Sequence, residues 1–153
     1  MKKIASFTVN HDTLEKGMYI SRIDGDVVTY DIRMKLPNGG DYLDMNAAHT
    51  LEHLLATYLR NSEIGENVIY VGPMGCRTGF YILLRDSVPY AKAIESVKAA
   101  MAFARDFTGE IPGSKKEECG NYLAHDLLGA KKEAEAIFAA LKNWKEKDLE
   151  YKL

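Results

Sequence analysis

Apolar and polar positions alternate between residues 27 and 35. Val28, Tyr30, Ile32 and Met34 fall on one face, Asp31 and Arg33 on the other. A period of two predicts a strand with one buried face. Residues 18–23 precede it across Asp24-Gly25-Asp26, which predicts a hairpin. Leu36-Pro37-Asn38-Gly39-Gly40 then breaks the strand and the period lengthens. Ala47, Ala48, Leu51, Leu54, Leu55, Ala56 and Leu59 follow helical spacing, with Asn46 placed to cap the helix. A second hairpin is expected from residues 68–71 and 80–84, around a glycine-rich turn. Ser87 should cap a long helix with Pro89 in its first turn, turning Ile94, Val97, Met101 and Ala104 inward and stopping near residues 109–113. A last helix, over roughly 123–144, carries Leu127, Leu128, Ile137, Phe138 and Leu141. The order ββα-ββ-αα predicts the α+β class, an antiparallel β-sheet with helices packed on one face. Such a sheet leaves its other face bare, and a bare apolar face calls for a partner. A second copy of the chain is expected to cover it, making the protein homodimeric.

Composition narrows the function classes. The 153 residues suit one domain spanning 1–153, burying roughly two thirds of the unfolded surface. Hydrophobic content of 46% and charged content of 27% are ordinary for a soluble protein. A net charge of −2 gives no reason to expect nucleic acid or an anionic membrane as partner. No apolar run is long enough to span a bilayer, and Asn10, His11 and Asp12 interrupt any signal-peptide core. A cytoplasmic location is expected. Two cysteines make no disulfide framework in a chain of this size, so both should be reduced thiols open to chemistry or ligation. The lysine- and glutamate-rich stretch 131–152 reads as a charged face around an apolar stripe.

The chemistry concentrates in His49-Thr50-Leu51-Glu52-His53. Residues one helical turn apart stand side by side, so His49 and His53 can share a metal ion. Glu52 lands beside them, free to act as an acid or base, as in metal-binding H-x-x-E-H helices. A catalytic site wants a third protein ligand and an open position. His11, Cys76, Cys119 and His125 are the candidates. Cys119 lies where the chain turns into the last helix, and a thiolate would complete a His/His/Cys set; a small buried hydrophobe is the plain alternative. Cys76 sits among Gly72, Gly75 and Gly79 with Arg77 and Thr78 beside it, a setting that favours thiolate, although its hairpin could equally pack it inward. His125 reads as a solvated or core-satisfied histidine, Arg33 as a surface ion pair with Asp31, and Trp144 as a core or dimer contact. Spacing alone leaves these readings open.

Larger blocks resemble a known family. H-T-L-E-H-L-L-A at 49–56, G-P-M-G-C-R-T-G-F-Y at 72–81 and C-G-N-Y at 119–122 are similar to the signature blocks of S-ribosylhomocysteine lyase, the LuxS family. S-F-x-x-x-H at 6–11 and D-I-R-x-x-x-P-N at 31–38 match its early blocks. The resemblance implies a homodimer with active sites at the interface and one Fe(2+) per subunit on His49, His53 and Cys119, with zinc or cobalt able to substitute. It implies Glu52 and Cys76 as the acid/base pair, and Ser6, His11 and Arg33 as ligands of the ribosyl part of the substrate. The implied reaction cleaves the thioether of S-ribosylhomocysteine to homocysteine and 4,5-dihydroxy-2,3-pentanedione, the autoinducer-2 precursor of quorum sensing. It would run by two carbonyl migrations and a β-elimination. Gly72 stands where serine is expected, and Tyr70 where several members carry an acidic residue. Two other readings compete: a small zinc peptidase of the inverted H-x-x-E-H type, and a non-enzymatic module in which the histidines and Cys119 form a closed structural site.

Overall fold

The computed structural model describes residues 1–152. Among these, strands β1 (Gly17–Asp24), β2 (Val27–Arg33), β3 (Val68–Pro73) and β4 (Gly79–Arg85) form one antiparallel sheet in the order β1-β2-β4-β3. Both hairpins fall where the sequence pattern placed them, and β2 joins them by pairing with β4, Ile32 opposite Phe80. Helices α1 (Met45–Asn61), α2 (Tyr90–Asp106) and α3 (Leu127–Ala140) complete the α+β arrangement. Val28, Tyr30, Ile32, Phe80, Ile82 and Leu84 are buried against residues of all three helices. Each large apolar side chain sealed there contributes about 1.5–3 kcal/mol. None of the described helices is long and apolar enough to cross a membrane.

Helix α1 is the element on which the site is built. Leu51, Leu54, Leu55 and Leu59 are fully buried. At a hundred degrees per residue, His49 and His53 fall on the opposite side of the same helix, with Glu52 on the flank between the two faces. One amphipathic pattern therefore anchors α1 to the core and turns its chemistry away from the leucines. The helix starts earlier than expected. Asp44, not Asn46, is the cap, its Oδ2 accepting from the Ala47 amide at 3.0 Å. Ser87 does not cap α2 either; its hydroxyl donates to Asn67, and Pro89 occupies the cap position.

The last helix is shorter at both ends than its apolar pattern suggested. Residues 120–123 form a turn and 124–126 are irregular, and Asp126 caps α3 by accepting from the Gly129 amide at 2.9 Å. Helical structure stops at Ala140, after which Trp144 Nε1 donates to the Met18 carbonyl at 2.7 Å. The indole packs closely on β1 because Gly17 has no side chain; a Cβ there would fall 2.2 Å from the ring. Trp144 is thus a contact within the chain. From there the chain passes on to Tyr151, whose ring stacks on Tyr19.

The second face of the sheet is not the bare apolar surface expected. It carries Thr29, Asp31, Arg33 and Tyr81, and Asp31 and Arg33 are only 1% and 3% exposed. Tyr151 donates to Asp31 at 2.7 Å, and Arg33 holds both oxygens of the same carboxylate. The pair is buried, not the surface pair that its spacing suggested. Removing one partner strands the other charge, so Asp31→Ala should cost about 3–5 kcal/mol of stability in denaturant unfolding.

Candidate metal centre

Four donors from distant parts of the chain converge on α1. One nitrogen each of His49, His53 and His125, with the Cys119 sulfur, lie within 4.8 Å of one another. His49 Nδ1 faces the Ala124 carbonyl at 2.7 Å, and His53 Nδ1 the Pro112 carbonyl at 2.9 Å. Each carbonyl takes the Nδ1 proton and leaves Nε2 bare for a metal, the usual way an imidazole ligand is oriented. Cys119 Sγ is 3.5 Å from His49 Nε2. The His49 and His53 rings are 4.7 Å apart and perpendicular, so their in-plane lone pairs can meet at one ion. The donor set fits a soft or borderline divalent metal.

The structure selects among the thiols and histidines that spacing left open. Cys119 joins the two helix histidines, whereas Cys76 and His11 lie together in a separate cleft of about 220 Å³ with Asn38, Tyr42 and Thr78. Both cysteines are free, Cys76 exposed and Cys119 half-buried. Glu52 lines a neighbouring cleft of about 400 Å³ with His49, Met45, Met74, Gly75 and Arg77. The two clefts meet at the turn Gly75-Cys76-Arg77. Ser6 is half-buried in the short 3-10 turn Ala5–Phe7. A further cleft, about 840 Å³ and lined by Tyr58, Lys92 and Phe103, carries none of these residues.

The cation beside Cys76 is Arg33, not Arg77. Arg77 takes a left-handed backbone at φ 62°, and its Nε donates to the Leu43 carbonyl at 2.9 Å. The guanidinium of Arg33 donates to Thr78 Oγ1 at 2.7 Å and comes 4.0 Å from Cys76 Sγ. Thr78 Oγ1 is 3.0 Å from the same sulfur. Since it already accepts from Arg33, its own proton is left to point at the Cys76 sulfur. Burial would lower the Arg33 pKa, but Asp31 outweighs it and holds the guanidinium charged. Arg33 is paired in sequence with Asp31 and in space with Cys76, and only the first partner is visible at close spacing.

His125, one of the four candidates but read from the sequence as a solvated or core-satisfied histidine, lies at the centre itself. It stacks on His49 with ring centres 4.0 Å apart, and its Nδ1 lies 2.9 Å from Thr50 Oγ1. Burial and then the neighbouring His49 and His53 hold its pKa below the ordinary histidine value. The interval of two residues between Tyr122 and His125 carried no helical or metal-ligand spacing that would have marked it. The two departures at 70 and 72 prove to be coupled. The Tyr70 ring lies over Gly72, where a Cβ would come 2.4 Å from it. A serine at 72 is compatible only with a displaced Tyr70 ring, which is 56% exposed and able to move.

An α+β chain that brings a cysteine from a distant turn to two histidines of one helix, beside a cleft lined by a carboxylate, has the donor set of a metalloenzyme of the lyase or hydrolase type. The family model for S-ribosylhomocysteinase (LuxS) matches residues 4–148, and the chain belongs to that family. It is similar to proteins named S-ribosylhomocysteine lyase from Desulfotalea psychrophila, 45% identical over 99% of both chains, and Clostridium acetobutylicum, 46% identical over 99% of both. The lyase of that name from Phocaeicola vulgatus is 48% identical over 88% of this chain and 86% of its own.

Proposed function

We propose that this chain is an S-ribosylhomocysteine lyase, releasing homocysteine and 4,5-dihydroxy-2,3-pentanedione, the autoinducer-2 precursor. The observation that carries the reading is the convergence of His49, His53 and Cys119 beside a cleft lined by Glu52. These three residues would hold one Fe(2+), with zinc or cobalt as substitutes. When bound, the ion supplies Lewis acidity at a sugar carbonyl oxygen.

Thioether cleavage needs a carbonyl on the third sugar carbon, so that the proton on the fourth is acidic. The substrate starts with its carbonyl on the first carbon. The carbonyl must therefore move twice, each time by removal of one proton and return of another. Cys76, with Thr78 and Arg33 at its sulfur, serves the transfers at the inner sugar carbons. Glu52 serves the final proton removal or the leaving thiolate. Ser6 and His11 bind the ribosyl hydroxyls, and Arg33, almost fully buried, supports that end of the pocket through Thr78 and Cys76. Incubating the iron-loaded protein anaerobically with S-ribosylhomocysteine should release free thiol stoichiometrically. A loaded protein that releases none refutes the assignment.

The working unit is proposed to be a cytoplasmic homodimer with a shared site, as the family resemblance implies. Its support lies at the metal end, not on the sheet. Met45 and Leu123 are 70% and 78% exposed; Met45 lines the Glu52 cleft, and Leu123 lies in the turn that follows Cys119. Large apolar side chains left exposed beside a functional site are what a partner covers. Sedimentation at assay concentration should give twice the 17.1 kDa of the chain. A fully active species of single-chain mass would overturn the shared site.

A further inference from the structure

Three of the four donors at the metal centre are accounted for as ligands, and His125 is left over. Its ring geometry argues against ligation. The His125 and His49 planes are 20° apart at a centroid distance of 4.0 Å. Lone pairs lie in the ring plane, so two rings stacked face to face send theirs along nearly parallel lines that do not meet at one ion. The perpendicular His49 and His53 rings do the opposite.

The hydrogen bonds around Thr50 point the same way. The Asp126 backbone N–H donates to Thr50 Oγ1 at 2.9 Å, and a backbone amide has no other role open to it. Thr50 is fully buried, and its hydroxyl proton has one acceptor among the described residues, His125 Nδ1 at 2.9 Å. Nδ1 thus accepts, and in the neutral ring the proton sits on Nε2. A protonated nitrogen cannot ligate a metal. Nε2 is itself buried without a hydrogen-bond partner among the described residues, Cys119 Sγ included. A buried donor without a partner in the chain is costly unless something outside the chain meets it.

We propose that His125 is a fixed hydrogen-bond donor whose Nε2–H meets the substrate oxygen that gains negative charge at this centre. Thr50 and Asp126 act as positioning residues by setting its tautomer. The inference rests on the lyase reading and adds a residue to it. It also excludes the closed four-ligand structural site, because the fourth donor presents a proton and not a lone pair. A donor held in place by buried neighbours stabilises developing charge without having to reorganise.

The test uses cobalt-loaded protein and acetohydroxamate as an oxyanion probe, followed by the visible spectrum. His125→Phe keeps the ring stacked on His49 but offers no proton. It should retain one cobalt per chain and an unchanged first-shell histidine count by X-ray absorption, while binding acetohydroxamate about tenfold or more weakly, as expected for one hydrogen bond to a charged group. His125→Gln, which restores an N–H, should recover part of that affinity. Thr50→Val, which frees Nδ1 to take the proton, should weaken the probe with the metal retained, and it serves as the measure if His125→Phe does not fold. Loss of cobalt or of one histidine from the first shell in His125→Phe would make His125 a ligand and overturn the proposal. Wild-type affinity for the probe in His125→Phe or Thr50→Val would overturn it as well. If the wild-type protein takes up no metal, the lyase reading itself fails; if it loads normally and the variants match it, only the role of His125 falls.

Discussion

His49→Ala, His53→Ala and Cys119→Ala should each remove most of the bound metal and all thiol release from S-ribosylhomocysteine. Three donors are few for a labile divalent ion, and two hold it poorly, so metal content and activity should fall together. The structure sharpens the expectation for Cys119, whose sulfur sits 3.5 Å from His49 Nε2 while Cys76 occupies a different cleft. Elemental analysis after gel filtration is the direct measure. A Cys119→Ala protein with stoichiometric metal would mean that the third ligand is wrong. With iron bound, air should inactivate the wild-type protein, and cobalt or zinc should slow that loss, since zinc has no accessible redox change. All three variants should fold, because none of these side chains belongs to the leucine face of α1.

The second large effect separates proton transfer from metal binding. Glu52→Gln and Cys76→Ala should keep one metal per chain and lose turnover by 10² to 10⁴, roughly the contribution of a positioned acid or base. Cys76→Ala should also abolish exchange of sugar hydrogens with deuterated water, because the early carbonyl migrations stop. Full exchange in that variant would move the first steps to Glu52. The position of Arg33 adds an intermediate case. Thr78→Val removes the hydroxyl between Arg33 and Cys76 and should slow the same exchange without touching the metal. The rate and extent of deuterium uptake by NMR would place each variant.

Much of this site was legible at short range. The pair His49 and His53, with Glu52 between them, follows from helical spacing, and the helix itself follows from its leucines. The strands were legible because one-sided burial imposes a period of two on β2 and turn residues bracket the other three, and all four appear where these signals put them. Helix ends were read less well. Asn46, Ser87 and Leu123 were reasonable local choices, but Asp44, Pro89 and Asp126 hold the cap positions because the chain on either side is committed to other contacts. The apolar run from Leu123 looked helical, yet these residues form the turns that deliver Cys119 and His125 to α1.

Periodicity and local spacing thus decided the class of fold, the face of α1 that carries chemistry and the candidates for ligation, since each depends on residues within a turn or two of one another. Choosing among those candidates required the packed chain. Cys119 and His125 reach His49 and Thr50 across seventy or more residues, Arg33 reaches Cys76 across β2 and β4, and Tyr151 closes over Asp31 from the far end of the sequence. These contacts are set by the meeting of surfaces made far apart in the chain, and no short-range pattern of one sequence encodes which surfaces meet. The same reason explains the sheet's second face, where alternation predicted exposure and burial was supplied from outside the strands by an aromatic residue of the last segment.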